Sequence, residues 1–171
     1  MATAARELVG TDWLDARIDA PDLVVLDASW HLPAEKRDAE AEFMERHIPG
    51  ALFFDIDKIA DPASPYPHML PAPAMFSSRM RKMGIGDGAR VVVYDSKGLF
   101  SAARVWWMFR VMGASDVAVL DGGLPKWLAE GRPTESGASR PRQPKHFTVR
   151  RDAGLVRERD DVLALLPPRG A

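Results

Sequence analysis

The 171-residue chain contains no cysteine. That excludes a disulfide framework, a thiolate metal site and any thiol nucleophile supplied by these residues. An excess of one charge is lacking too. Lys and Arg number 23 and Asp and Glu 24, a net of −1, so no overall field draws nucleic acid or an anionic membrane. No apolar run approaches the roughly 18 residues of a membrane span. The opening MATAARELVG lacks the basic-then-apolar order of a secretion signal. A cytoplasmic location is expected. What is present, 46% hydrophobic and 27% charged residues, fits a globular chain with one substantial core.

Four short apolar runs read as buried strands: LVVL (Leu23–Leu26), ALFF (Ala51–Phe54), RVVVY (Arg90–Tyr94) and VAVL (Val117–Leu120). Helical spacing falls between them. Thr11 is expected to cap a short helix carrying Trp13, Leu14 and Ile18. A surface helix over Asp38–Arg46 surrounds Phe43 and stops at His47-Ile48-Pro49-Gly50, because a residue before proline avoids the helical region. Further helices are expected over Pro73–Met83, Leu99–Met112 and Leu124–Glu130. The Leu99–Met112 helix places Val105, Trp106, Phe109 and Met112 on one face. Asp57 to Pro73 is a proline-rich loop whose Met and aromatic content argues for order. This alternation predicts an α/β fold, a mostly parallel central sheet with helices on both faces.

After Gly131 the pattern dissolves. GRPTESGASRPRQPK reads as a linker, Phe147–Val149 as a short strand, and Arg159–Leu166 as a helix that opens something new. The expected division is a domain over residues 8–131, a linker over 132–158, and over 159–171 the start of a truncated second domain. The alternative is a tail that packs back on the first. The scattered basic residues of the tail read as a solvated linker rather than a nucleic-acid surface.

Several constellations could carry chemistry. Gly84-Ile85-Gly86-Asp87-Gly88 suggests a dinucleotide loop, but it precedes a strand and its spacing is wrong, so a turn is expected. The loop Asp95, Ser96, Lys97, Gly98, Leu99, Phe100, Ser101 leaves the carboxyl end of a strand and feeds a helix N-terminus, a place suited to an anion. A thiol there would be strongly nucleophilic. An aspartate there caps the helix, stands in for a lost thiolate, or, as a third reading, takes a phosphoryl group. Arg104 is expected to pin a carboxylate such as Asp27 or Asp95. Of the adjacent Trp106 and Trp107, one belongs to the core and the other is free to meet a partner. His47 reads as a structural histidine bonded to backbone. Asp57 and His68 flank the proline-rich loop and could act in acid–base chemistry if they meet in space, or fix that loop by hydrogen bonds. No metal site is expected.

The phrases LDASWHLP (Leu26–Pro33), ERHIPGALFFDID (Glu45–Asp57), SPYPHMLP (Ser64–Pro71), VVVYDSKGLFSAARVWWMFRVMG (Val91–Gly113) and VAVLDGGLPKWL (Val117–Leu128) together resemble the N-terminal half of two-domain rhodanese-type sulfurtransferases, the 3-mercaptopyruvate and thiosulfate enzymes. The resemblance runs over about residues 8–165. It implies that 8–131 is the cysteine-less rhodanese domain. The catalytic cysteine would lie in a C-terminal rhodanese domain absent here. It would carry sulfane sulfur as a persulfide from 3-mercaptopyruvate or thiosulfate to a thiol or cyanide, without a cofactor. It also implies that Asp95 stands where that cysteine would be, making 95–101 a degenerate active-site loop, and that Asp57 and His68 support the partner domain's cysteine. The chain alone is expected to be inactive, with an exposed apolar face around Trp13, Phe54 or Met69 that drives dimerisation. The alternative is a stand-alone inactive rhodanese-like module that binds a protein or an anion through the loop.

Overall fold

Valine-rich runs build the sheet, and their alternation sorts them onto two faces. The computed structural model describes residues 7–166; the first six residues of the N-terminal stretch and residues 167–171 of the expected second-domain start lie outside it. Five strands, β1 (Leu8–Val9), β2 (Leu23–Asp27), β3 (Leu52–Phe53), β4 (Arg90–Tyr94) and β5 (Val117–Leu120), form one all-parallel sheet in the order β1-β5-β4-β2-β3. β4 lies at the centre, with Val93 opposite Leu26 of β2 and Val119 of β5. A central parallel strand is buried on both faces, which is why these runs are apolar throughout rather than alternating.

Helices α1 (Thr11–Asp15), α2 (Ala39–Glu45) and α5 (Gly123–Ala129) cover one face. There Leu14, Phe43 and Trp127 pack on Leu23, Val25, Val92, Tyr94, Ala118 and Leu120. Helices α3 (Pro73–Lys82) and α4 (Ala102–Val111) cover the other, with Phe76, Met80, Val105 and Phe109 against Val24, Leu26, Val91, Val93, Val117 and Val119. None of the described helices is long and apolar enough to cross a membrane. α6 (Arg159–Leu165) lies apart, with every side chain solvent-exposed.

The differences from expectation have local causes. β1 was not anticipated; two residues paired to β5 leave no periodicity to read. Thr11 is the first residue of α1 rather than its cap, and its hydroxyl donates to Glu130 at 2.6 Å. Asp38 does cap α2, accepting the Ala41 N–H at 3.0 Å. α4 begins at Ala102, three residues after Leu99, because Leu99–Ser101 fold around Asp95 instead of starting the helix.

The segment after Gly131 is without helix or strand up to the short turn at Ala153–Leu155, as its composition implies, yet it is not loose. It forms a strap along the domain. Glu135 and His47 exchange backbone hydrogen bonds at 2.8 and 2.9 Å. Phe147 is buried among Phe76 and Phe109. Arg150 and Asp152 donate backbone N–H groups to Met112 and Val111 at the end of α4. Phe147–Val149 is not a strand, since its polar groups go to side chains. The Ser77 hydroxyl donates to the Phe147 carbonyl, and the Thr148 N–H donates to Asp87. Gly84 and Gly86 of GIGDG, together with Gly113, make the bed for this strap: a Cβ at Gly86 would stand 2.8 Å from the His146 carbonyl oxygen, and one at Gly113 2.6 Å from that of Arg150.

Candidate functional site

β2 and β4 end side by side at the point where the strand order reverses, the usual ligand crevice of an open α/β sheet. Asp95 is the first residue past β4 and is 1% exposed. Its Oδ2 accepts N–H groups from Phe100, Ser101 and Ala102 at 2.7, 2.9 and 2.9 Å, and its Oδ1 that of Lys97 at 2.9 Å. Ala102 opens α4, so the carboxylate sits at the positive end of the helix dipole. The loop is an anion cradle filled by its own first side chain. Ser96 binds outward to Ser29 through its N–H at 2.9 Å. Lys97 leaves the cradle, pairing with Glu35 at 2.7 Å and lying over the Phe100 ring at 4.2 Å. Leu99 and Phe100 are exposed, and Gly98 packs on Gly122. With these four N–H groups engaged and the carboxylate buried, the loop has neither a free anion site nor an accessible phosphoryl nucleophile.

Behind the loop lies a second buried acid. Asp27, 2% exposed, accepts the Ser29 N–H at 2.9 Å and the Ser29 hydroxyl at 2.5 Å. Burial raises its pKa above the ordinary 3.8, only partly opposed by those donors, while the nearby Asp95 carboxylate adds to the rise. Burial, reinforced by Asp27, also pushes Tyr94 well above its usual value. The folded state therefore holds the Asp27 proton more tightly than the unfolded chain does. Stability contributed by this group is present below the ordinary carboxylate value and is lost as pH climbs through the raised one. Asp27→Asn is expected to remove that loss. Urea midpoints of the two proteins, measured as pH rises from about 4, should diverge in favour of the variant; parallel curves would contradict the assignment.

On the opposite rim the loop between β3 and α3 brings Asp57 and His68 together, His68 Nε2 to Asp57 Oδ1 at 2.5 Å. Their condition of meeting in space is met. The Trp30 indole N–H donates to the other Asp57 oxygen at 3.2 Å, and the His68 ring stands edge-on to Trp30 at 4.9 Å. Trp30 in turn stacks on Phe100 at 6.4 Å, joining the pair to the cradle loop. The Asp61 N–H donates to the Met69 carbonyl at 2.9 Å, closing the loop on itself. His68 has φ +58, a left-handed conformation that costs a non-glycine residue on the order of 1 kcal/mol. The Asp57 side chain is 63% exposed and that of His68 30%, so the pair opens to solvent beside the exposed Met69, Leu99 and Phe100.

Arg104 corrects an expectation. It bonds neither Asp27 nor Asp95; its guanidinium donates to the His68 carbonyl and lies 4.8 Å over the Trp107 ring. Both tryptophans are part-buried, Trp106 bonded to the Val117 carbonyl and Trp107 to that of Leu155. His47 bonds the Phe43 carbonyl at 2.7 Å and stacks on that ring. Of the three residues expected on an apolar face, Phe54 is wholly buried, Trp13 is covered by Arg17 and Arg90, and only Met69 is exposed. Trp30 was missed as a site residue. Its place in LDASWHLP, just past a strand end, was the available signal. Among the described residues no group of three or more His, Asp or Glu is placed to hold a metal ion.

An all-parallel sheet with an anion-cradling loop after its central strand defines a class, the rhodanese-like α/β domains. The family model for the rhodanese-like domain matches residues 10–130, and the chain belongs to that family. It is 45% identical over 170 residues to human 3-mercaptopyruvate sulfurtransferase, covering 96% of this chain and 57% of that protein. It is 52% identical over 137 residues to Arabidopsis thaliana thiosulfate/3-mercaptopyruvate sulfurtransferase 1, mitochondrial, covering 80% of this chain and 36% of the relative. The crystal structure of SseA from Escherichia coli, a 3-mercaptopyruvate sulfotransferase, superposes with a TM-score of 0.87 at 38% identity, covering 94% of this chain and 61% of that one. The chain thus spans less than two thirds of each of these proteins.

Proposed function

We propose that this chain is the cysteine-free, site-shaping part of a sulfurtransferase that moves sulfane sulfur from 3-mercaptopyruvate or thiosulfate to a thiol or cyanide. The persulfide forms on a cysteine of a partner rhodanese domain, which is the remainder of the protein in this reading. The observation that carries it is the contrast between the two rims: a cradle closed by Asp95, and an open Asp57–His68 pair at 2.5 Å. Sulfur transfer requires a sulfur nucleophile, because the intermediate is an S–S bond made by thiolate attack. A carboxylate does not substitute. What these residues offer is proton handling. When a thiolate takes sulfur from mercaptopyruvate, the C–S bond breaks, its electron pair stays on carbon and the enolate needs a proton. An imidazole oriented by a carboxylate suits that relay.

The test joins the chain to the cysteine-bearing remainder of a relative and follows sulfide release from 3-mercaptopyruvate with a dithiol present to take the sulfane sulfur and be oxidised to its disulfide. The chain alone should show no turnover. The reconstituted pair should be active, and Asp57→Ala should lower its rate about 10²-fold. Activity of the isolated chain, or an unchanged Asp57→Ala rate, removes the reading. The exposed Met69, Leu99 and Phe100 also suit a stand-alone interaction module. In that case the remainder would fail to associate with the chain at all.

A further inference from the structure

We propose that Arg104 is the positioning residue of the Asp57–His68 pair, fixing the His68 ring through its backbone. The inference deepens the function proposed above and rests on that reading for its meaning in catalysis, though not for its geometry.

Three observations converge. Arg104 is on α4, two residues inside the helix, and its guanidinium crosses from the cradle side to donate to the His68 carbonyl. Among the described residues no carboxylate neutralises it: its contacts there are that carbonyl and the Trp107 ring, its Nε is buried without a partner, and burial lowers its pKa. Arginine held in this way is a poor stabiliser, since half-burying a cation without a counter-ion costs free energy. The cost is explained by what the bond holds. His68 is one of two described non-glycine residues at positive φ, in a loop rich in proline. Left-handed backbone at such a residue persists only where its surroundings impose it. The φ of His68 sets the direction of its Cβ, and thereby whether Nε2 reaches Asp57. Trp30 adds a wall but bonds only Asp57, and the Asp61–Met69 bond closes the loop one residue further on; the His68 carbonyl itself is held by Arg104. A guanidinium stacked on an indole is a rigid donor, unlike a free lysine.

The experiment uses the whole chain, labelled with nitrogen-15, and reads the tautomer of the His68 ring at a pH where it is neutral. His68→Gln assigns the signal. Wild type should show a single tautomer protonated at Nε2 and donating to Asp57. Arg104→Met, which keeps the buried stem and removes the guanidinium, should relax the single tautomer to the mixture of a free imidazole, with the Nδ1-protonated form becoming visible. Arg104→Lys, whose ammonium still donates but without the planar guanidinium, should restore the wild-type preference in part. A folded Arg104→Met with the wild-type tautomer overturns the proposal. So does unfolding of both Arg104→Met and Arg104→Lys, which would make Arg104 a framework residue. The outcome is separable from the functional reading. If the ring result holds while Asp57→Ala leaves the reconstituted rate unchanged, positioning stands and the sulfurtransferase role of the pair falls.

Discussion

Asp95→Ala is expected to destabilise the chain by about 3–5 kcal/mol, read as a shift of the urea midpoint at constant slope. An ordinary helix cap lost to alanine costs about 1 kcal/mol. Asp95 differs in number and burial. Two carboxylate oxygens accept four N–H groups, from Lys97, Phe100, Ser101 and Ala102, in a place almost closed to water. Alanine leaves those donors facing a void, and each buried unmade bond costs roughly 1–3 kcal/mol, softened where water can enter. Asp95→Asn tests the charge separately. The amide keeps one acceptor oxygen but turns an NH2 group toward the remaining donors, so it should fall between wild type and alanine. A loss near 1 kcal/mol for alanine would reduce Asp95 to a simple cap.

Phe147→Ala should cost about 3–4 kcal/mol in the same measurement. The residue lies in a stretch whose composition is that of a linker, where a substitution would ordinarily change stability by less than about 0.5 kcal/mol. Its ring is 5% exposed and meets Phe76 at 5.6 Å and Phe109 at 6.1 Å, both edge-on. Removing it opens a cavity under α3 and α4 and frees the strap that crosses Gly86 and Gly113. A near-neutral result would mean that the strap rides on the domain without supporting it.

The parts legible in the sequence were those decided locally. Arg90–Tyr94 and Val117–Leu120 have the expected bounds, because central parallel strands must be apolar on both sides. The anion-loving geometry of the Asp95 loop followed from a strand end meeting a helix start. Contacts between distant residues were not legible. Nothing near Arg104 indicates that its partner is a carbonyl 36 residues away. Nothing within GIGDG indicates that Gly84 and Gly86 clear space for a segment some 60 residues downstream. Phe147 is a single aromatic in a polar stretch, and its burial depends on the Phe76 and Phe109 rings that receive it.

The self-filled cradle also bears on oxidation. A thiolate in such a loop would be the first group to meet peroxide, passing through sulfenic to sulfinic acid. Asp95 has no such ladder to climb, and the chain holds no cysteine elsewhere. At this site the oxidisable sulfur is the exposed Met69 beside the Asp57–His68 pair, whose sulfoxide would make that rim more polar while leaving the Asp95 cradle unaltered.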